Sequence, residues 1–192
     1  MEGSQLDKIL KKDPVLMHVY DGIYCSDNLR YPLIKNKLWV INTAKSTDDK
    51  GIHWLLIHTL KPDYVEFLCS SKSNYKDFPH ITKCIETYSK NIYTFSHRTQ
   101  ETWSTSCATH VLFYSFCVSR FIFGREILKR YFMPYIRKKC LFKAEIFVAE
   151  CTQQLYGLKD GLTQGLILDL DFLGEQIIDE QKKRKKRNQP KK

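Results

Sequence analysis

Ser104-Thr105-Ser106-Cys107-Ala108-Thr109-His110-Val111-Leu112-Phe113-Tyr114-Ser115-Phe116-Cys117-Val118 begins as a polar loop and becomes, at Cys107, a run apolar on nearly every side. The run continues to about Phe123. A surface helix keeps its apolar residues in one stripe, so a helix that is apolar all round belongs in the middle of a fold. Cys107 opens that helix. The unpaired N–H groups and positive dipole end at a helix N-terminus favour a thiolate over a thiol, which makes Cys107 a candidate nucleophile.

Working outward, the pattern predicts strands over 38–42, 52–60, 64–69 and 91–96, with a turn at Lys61-Pro62-Asp63. Helices are predicted over 5–12, 80–90, 125–133 and 143–155, with Pro134 between the last two. Residues 15–36 read as mixed, with turn signals at Asp21-Gly22 and Asp27-Asn28. One domain over 1–180 suits the chain length of 192 residues.

Composition narrows the classes further. The net charge of +10 is unevenly placed. Residues 181–192 hold eight Lys or Arg and no acid, so the rest of the chain carries 23 of the 31 basic residues against 21 acidic ones. The tail, with Lys182, Lys183, Arg184, Lys185, Lys186 and Arg187 at its centre, is expected to be disordered. It suits electrostatic contact with nucleic acid, a nuclear import signal or plain solubilisation. Seven cysteines at irregular spacings, with no CxxC pair, argue against a disulfide framework and against a structural zinc site. Free thiols in an intracellular, reducing compartment are the expectation. Val111 to Phe123 is interrupted by Ser115, Ser119 and Arg120 and falls short of the roughly 20 apolar residues that cross a bilayer. No signal peptide or membrane partner is expected.

Two further residues complete a chemical set. His53 stands at the start of an apolar strand, in Gly51-Ile52-His53-Trp54, where its imidazole can face a cleft. Gln100 lies in a polar loop seven residues before Cys107. A histidine beside a thiol holds the proton as an imidazolium and returns it to a leaving amine. The Gln100 amide and the Cys107 backbone N–H are candidate oxyanion donors. Singly, each residue has an ordinary explanation as a packed or surface side chain; the order His, Gln, Cys in these contexts gives them joint meaning. His58 falls on the opposite strand face from His53 and reads as structural or exposed, Cys117 as core, and His110 as one helical turn from the site. No metal set, Gly-rich phosphate loop or GxSxG elbow is present.

On these residues the chain resembles the adenovirus maturation-protease (adenain-like) cysteine proteases, relatives of the ubiquitin-like-protein (SUMO) proteases. The matching segments are Val40-Ile41-Asn42-Thr43-Ala44 through His53-Trp54, and Thr99-Gln100 through Ser104-Thr105-Ser106-Cys107, with Tyr20-Asp21 as a further match. The resemblance covers about residues 15–125 and implies an α+β, papain-like fold: a central helix carrying the cysteine, packed on a mostly antiparallel sheet carrying the histidine. It implies cleavage of viral or transposon precursor proteins at small, Gly-containing sites by a monomer in the host nucleus and virion. The chemistry needs no cofactor, and an activating peptide and DNA are implied as accessory partners. Where the family has an acid to orient the histidine, this chain has Cys69 or Ser70, with Glu66 three residues earlier; where it has Gly after the nucleophile, this chain has Ala108. Two alternatives stand beside this reading: a protease removing ubiquitin-like modifiers, and a catalytically weakened relative serving as a DNA-binding or virion structural protein.

Overall fold

The structure is a computed structural model that describes residues 1–48, 53–61, 63–102 and 104–157. Gly51, Ile52, Trp103 and the basic tail lie outside the described residues, as does the expected continuation of the domain to 180. The chain divides into Met1–Asp160 and Gly161–Lys192.

The elements, in order, are α1 (Gly3–Leu10), β1 (Tyr20–Cys25), β2 (Leu38–Asn42), β3 (Trp54–Lys61), β4 (Tyr64–Leu68), α2 (Pro79–Tyr88), β5 (Ile92–Thr94), α3 (Cys107–Ser119), α4 (Gly124–Ile127), α5 (Met133–Arg137) and α6 (Leu141–Tyr156). A π-helical segment, Leu128–Phe132, joins α4 to α5, and Pro134 sits in the first turn of α5, where no backbone donor is needed. The fold combines α and β elements, as expected. The sheet differs from expectation. Its strands run in the order β1-β2-β3-β4-β5, with β2-β3 and β3-β4 antiparallel but β1-β2 and β4-β5 parallel. A parallel pair needs a crossover, and α2 supplies one between β4 and β5. The sheet is therefore mixed rather than mostly antiparallel.

Burial on both faces explains why the strands read as nearly continuous apolar runs. Trp39, Ile41, Leu55, Ile57, Val65 and Phe67 pack with Ile81, Cys84 and Ile85 of α2. The alternate residues Leu38, Val40, Leu56 and Leu68 are fully buried too, and α3 packs against β3. As its composition required, α3 is central, with 11 of its 13 residues buried. Phe113 makes edge-on contacts with Tyr114, Tyr131, Phe132 and Phe147.

α3 ends four residues earlier than its apolar run. Phe121 adopts a left-handed φ of 63°, its N–H donates to the Val118 carbonyl, and the Ile122 N–H donates to the Cys117 carbonyl. That is a Schellman closure with phenylalanine where glycine is usual, so no glycine marked it in sequence.

β3 and β4 also bury an ionisable pair. Leu56 faces Leu68 and His58 faces Glu66 across the ladder. His58 Nε2 lies 2.9 Å from Glu66 Oε2, both residues fully buried, and the Gly124 N–H donates to the same oxygen at 2.6 Å. His58 is structural, as its strand parity suggested, and Glu66 is committed to it. Gly124 is required there: a Cβ would come within 2.6 Å of Leu68 and Tyr93 and 2.9 Å of Glu66. Among the described residues no helix is long and apolar enough to cross a membrane.

Candidate active site

The register of the sheet places the first two members of the site. Extending the Leu56↔Leu68 pairing by one step puts Cys69 opposite Leu55 and diagonal to His53, on the same face. Diagonal neighbours are within reach of a long side chain. His53 is held just before β3 by the Thr43 N–H donating to its carbonyl at 2.9 Å, and its Nε2 lies 3.3 Å from Cys69 Sγ. The third member, Cys107, is the first residue of α3 and 9 % exposed. Its Sγ lies 4.0 Å from the Thr105 carbonyl, and it stands close enough to His53 for each group to shift the other's ionisation.

The two thiols and the imidazole shift one another. Burial opposes an imidazolium at His53, but hydrogen bonds to Cys107 and Cys69, and their charge, raise it to about 9. Burial likewise opposes ionisation of Cys107; the His53 bond, the backbone N–H of Trp54, the His53 charge and the N–H of Ala108 together bring the thiol down. Cys69 is brought down to about 7 against its burial by His53, the Ser71 hydroxyl and the backbone of Ser73. Elsewhere burial wins: the thiols of Cys25, Cys84, Cys117 and Cys151 are all pushed up. All seven cysteines are free. Sequence pointed to Cys107 as the reactive thiol; the structure puts two acid-shifted thiols on one histidine.

Gln100 is brought to the site, with its amide already engaged. Ser70 Oγ donates to Gln100 Oε1 at 2.6 Å, and Gln100 Nε2 donates to the Ser104 carbonyl at 2.7 Å. A carboxamide nitrogen carries two hydrogens, so one donor remains. The backbone N–H groups of Thr99 and Gln100 both donate to the Ser70 carbonyl. His110, one turn into α3, does not reach the reacting pair. It is fully buried, with Nε2 3.1 Å from the Thr99 carbonyl and Nδ1 3.1 Å from the Ser106 carbonyl. It braces the loop.

Sequence reasoning missed Glu145. This buried acid of α6 accepts from the Glu101 N–H at 2.9 Å and from the Ser106 hydroxyl at 3.2 Å, clamping both ends of the loop that carries Gln100. Its signal was legible: it shares a helix face with Ala144, Val148, Cys151 and Thr152, where a carboxylate has no reason to be unless paired. Glu145→Ala is expected to accelerate amide exchange at Glu101 by about 10- to 100-fold, the equivalent of a charged hydrogen bond worth about 1.5–3 kcal/mol. Site-resolved hydrogen exchange measures this; an unchanged rate means that the clamp contributes nothing. The Trp54 N–H beside Cys107 was also missed, because a backbone donor leaves no mark in sequence.

Tyr20 and Asp21 play structural parts. Tyr20 donates to Asp7, while Asp21 accepts from the Trp39 indole and the Tyr24 hydroxyl. A cavity of about 490 Å³ opens between α1, Phe116 and Arg120 of α3 and its C-terminal turn, and Leu155 and Tyr156 of α6. Arg120 lies 13 residues beyond Cys107, about 20 Å along a helix axis, so this cavity is separate from the site. Among the described residues no group of three His, Cys, Asp or Glu side chains is placed to hold a metal ion. No protein-family model matches the chain, and no curated protein matches it in sequence.

Proposed function

We propose that the chain is a cysteine peptidase of the adenain-like type, acting on precursor proteins at small, Gly-containing sites. The observation that carries this reading is Cys107 as the first residue of a buried helix, with His53 placed where its charge favours the thiolate. In this reading Cys107 passes its proton to His53 and the thiolate adds to the scissile carbonyl carbon. The oxyanion is met by the Cys107 N–H and the remaining N–H of the Gln100 amide. His53 then gives its proton to the leaving amine, and a thioester remains on Cys107. Water, deprotonated by His53, hydrolyses the thioester and restores the thiol.

The pH dependence follows from the shifts. His53 is raised, so its imidazolium is complete at low pH and lost as pH rises through about 9. Acylation needs that proton, so hydrolysis of an internally quenched Gly-Gly peptide is expected to fall above pH 9. Alkylation of Cys107 by iodoacetamide, resolved by mass spectrometry, is expected to show a midpoint below the ordinary thiol value of about 8.5. In His53→Ala the midpoint returns to that value. A normal midpoint in both proteins removes the reading. Cleavage after the C-terminal Gly-Gly of a ubiquitin-like protein, with no cleavage of internal sites, would move the activity to the modifier-processing class. One observation favours the non-catalytic alternative: the Gln100 amide is bonded to Ser104. A binding protein that keeps this fold accounts for it if Cys107 reacts as an ordinary thiol.

A further inference from the structure

We propose that Cys69 is the positioning residue of this site, an ionised thiol standing where a carboxylate would orient His53. The inference rests on the reading of Cys107 and His53 as the reacting pair and assigns a role to the group on the other side of the imidazole.

Four observations carry it. Cys69 Sγ lies 3.3 Å from His53 Nε2, a contact made by one ring nitrogen that leaves the other, Nδ1, outside it. His53 and Cys69 stand one residue beyond β3 and β4, and continuing the ladder past Leu56↔Leu68 places them diagonally on the same face. The sulfur has a second partner, Ser71 Oγ at 3.1 Å, itself 2.9 Å from Ser73 Oγ, and a hydroxyl in that place is able to donate to an anion. Finally, Cys69 is 2 % exposed, so substrate meets Cys107 and not this thiol. The titratable groups facing this corner are His53 ahead of β3, and Cys107, His110 and Tyr114 from α3. The one acid that the sequence brings near, Glu66, is turned to His58.

Cys69 forms no bond to substrate. Its proton leaves to solvent when the site is charged, and its negative charge then stabilises the imidazolium formed as Cys107 ionises. A thiolate differs from a carboxylate in one respect: it is discharged within the physiological range. Its pKa is lowered, so its contribution is present above the ordinary thiol value and lost as pH falls through about 7. Together with the loss of the His53 imidazolium as pH rises through about 9, this places the charged Cys69–His53 pair between about pH 7 and 9.

The test is the alkylation midpoint of Cys107 in Cys69→Ser, Cys69→Ala and Cys69→Asp, with thermal unfolding of each variant as a folding control. A hydroxyl keeps the packing but cannot ionise, so Ser and Ala are expected to raise the midpoint by about one unit or more, the effect of a lost neighbouring charge. Asp is expected to lower it below that of the parent protein and to extend hydrolysis to lower pH, with KM unchanged. A parent-like midpoint in Cys69→Ser overturns the proposal, because packing alone then suffices. A titration of Cys69 in the unmodified protein, followed by ¹³Cβ NMR, needs no variant to fold; ionisation near pH 7 supports the assignment and a midpoint at or above about 8.5 ends it. His53→Ala separates the two levels. If it leaves the Cys107 midpoint unmoved, the peptidase reading fails; if it raises the midpoint while Cys69→Ser does not, only the role of Cys69 fails.

Discussion

Cys107→Ser is expected to lower peptide hydrolysis by about 10⁴-fold or more while leaving the fold intact, since groups acting as one catalytic unit are lost together. The substitution changes one atom in a side chain that is 9 % exposed, so packing around the first turn of α3 is preserved. What disappears is ionisation. The helix terminus, the Trp54 and Ala108 N–H groups and His53 bring a thiol into range, but a serine hydroxyl is far too weak an acid for the same surroundings to deprotonate it. Turnover of a quenched Gly-Gly peptide, with unfolding midpoints of both proteins, decides the matter. A serine variant retaining a tenth of the activity would mean that another thiol carries the chemistry, and Cys69 is the one acidified nearby.

Glu66→Ala is expected to cost about 2–5 kcal/mol of folding stability, from leaving two buried donors unsatisfied at about 1–3 kcal/mol each. The loss strands His58, fully buried and stacked 5.7 Å from Phe123, and leaves the Gly124 N–H without its acceptor. A small domain has about 5–15 kcal/mol in total, so the variant lies near the edge of folding. Glu66→Gln keeps an oxygen for both donors and is expected to cost about 1–2 kcal/mol. Urea unfolding midpoints read both. A cost for the alanine variant no larger than that for glutamine would show that the pair is not what holds β3, β4 and α4 together.

Much of the fold was legible because local pattern and burial agreed. The runs at 38–42 and 64–69, and the apolar face of Ile81, Cys84 and Ile85, became β2, β4 and α2 with shifts of a residue or two. β1 was not legible. Asp21 and Gly22 mark a turn locally, yet Asp21 is satisfied by Trp39 and Tyr24, which only the folded chain brings near. Strand direction was not legible either, since nothing within β1 or β5 says which way its neighbour runs. At the site, Cys107, His53 and Gln100 could be singled out because side-chain type and spacing drew attention to them, and the fold brings His53 and Gln100 to the end of β4 through Cys69 and Ser70. Cys69 was readable only as the place where an acid was missing. Its acidity comes from His53, Ser71 and the backbone of Ser73, a set that exists once β3 and β4 are in register.

Cys69 and Ser70 are consecutive residues with different partners: Cys69 Sγ reaches His53, and Ser70 binds Gln100 through both its hydroxyl and its carbonyl. His53 and Gln100 are thus both tied to a single bracket at the end of β4, while Cys107 rides on a different part, the tip of α3. Wear at the bracket moves two parts in step and keeps their mutual spacing. The adjustable dimension is the gap between bracket and helix tip, so mutations that shift Cys107 relative to His53 and Gln100 without touching any of the three belong in the α3–α6 packing, not in the sheet.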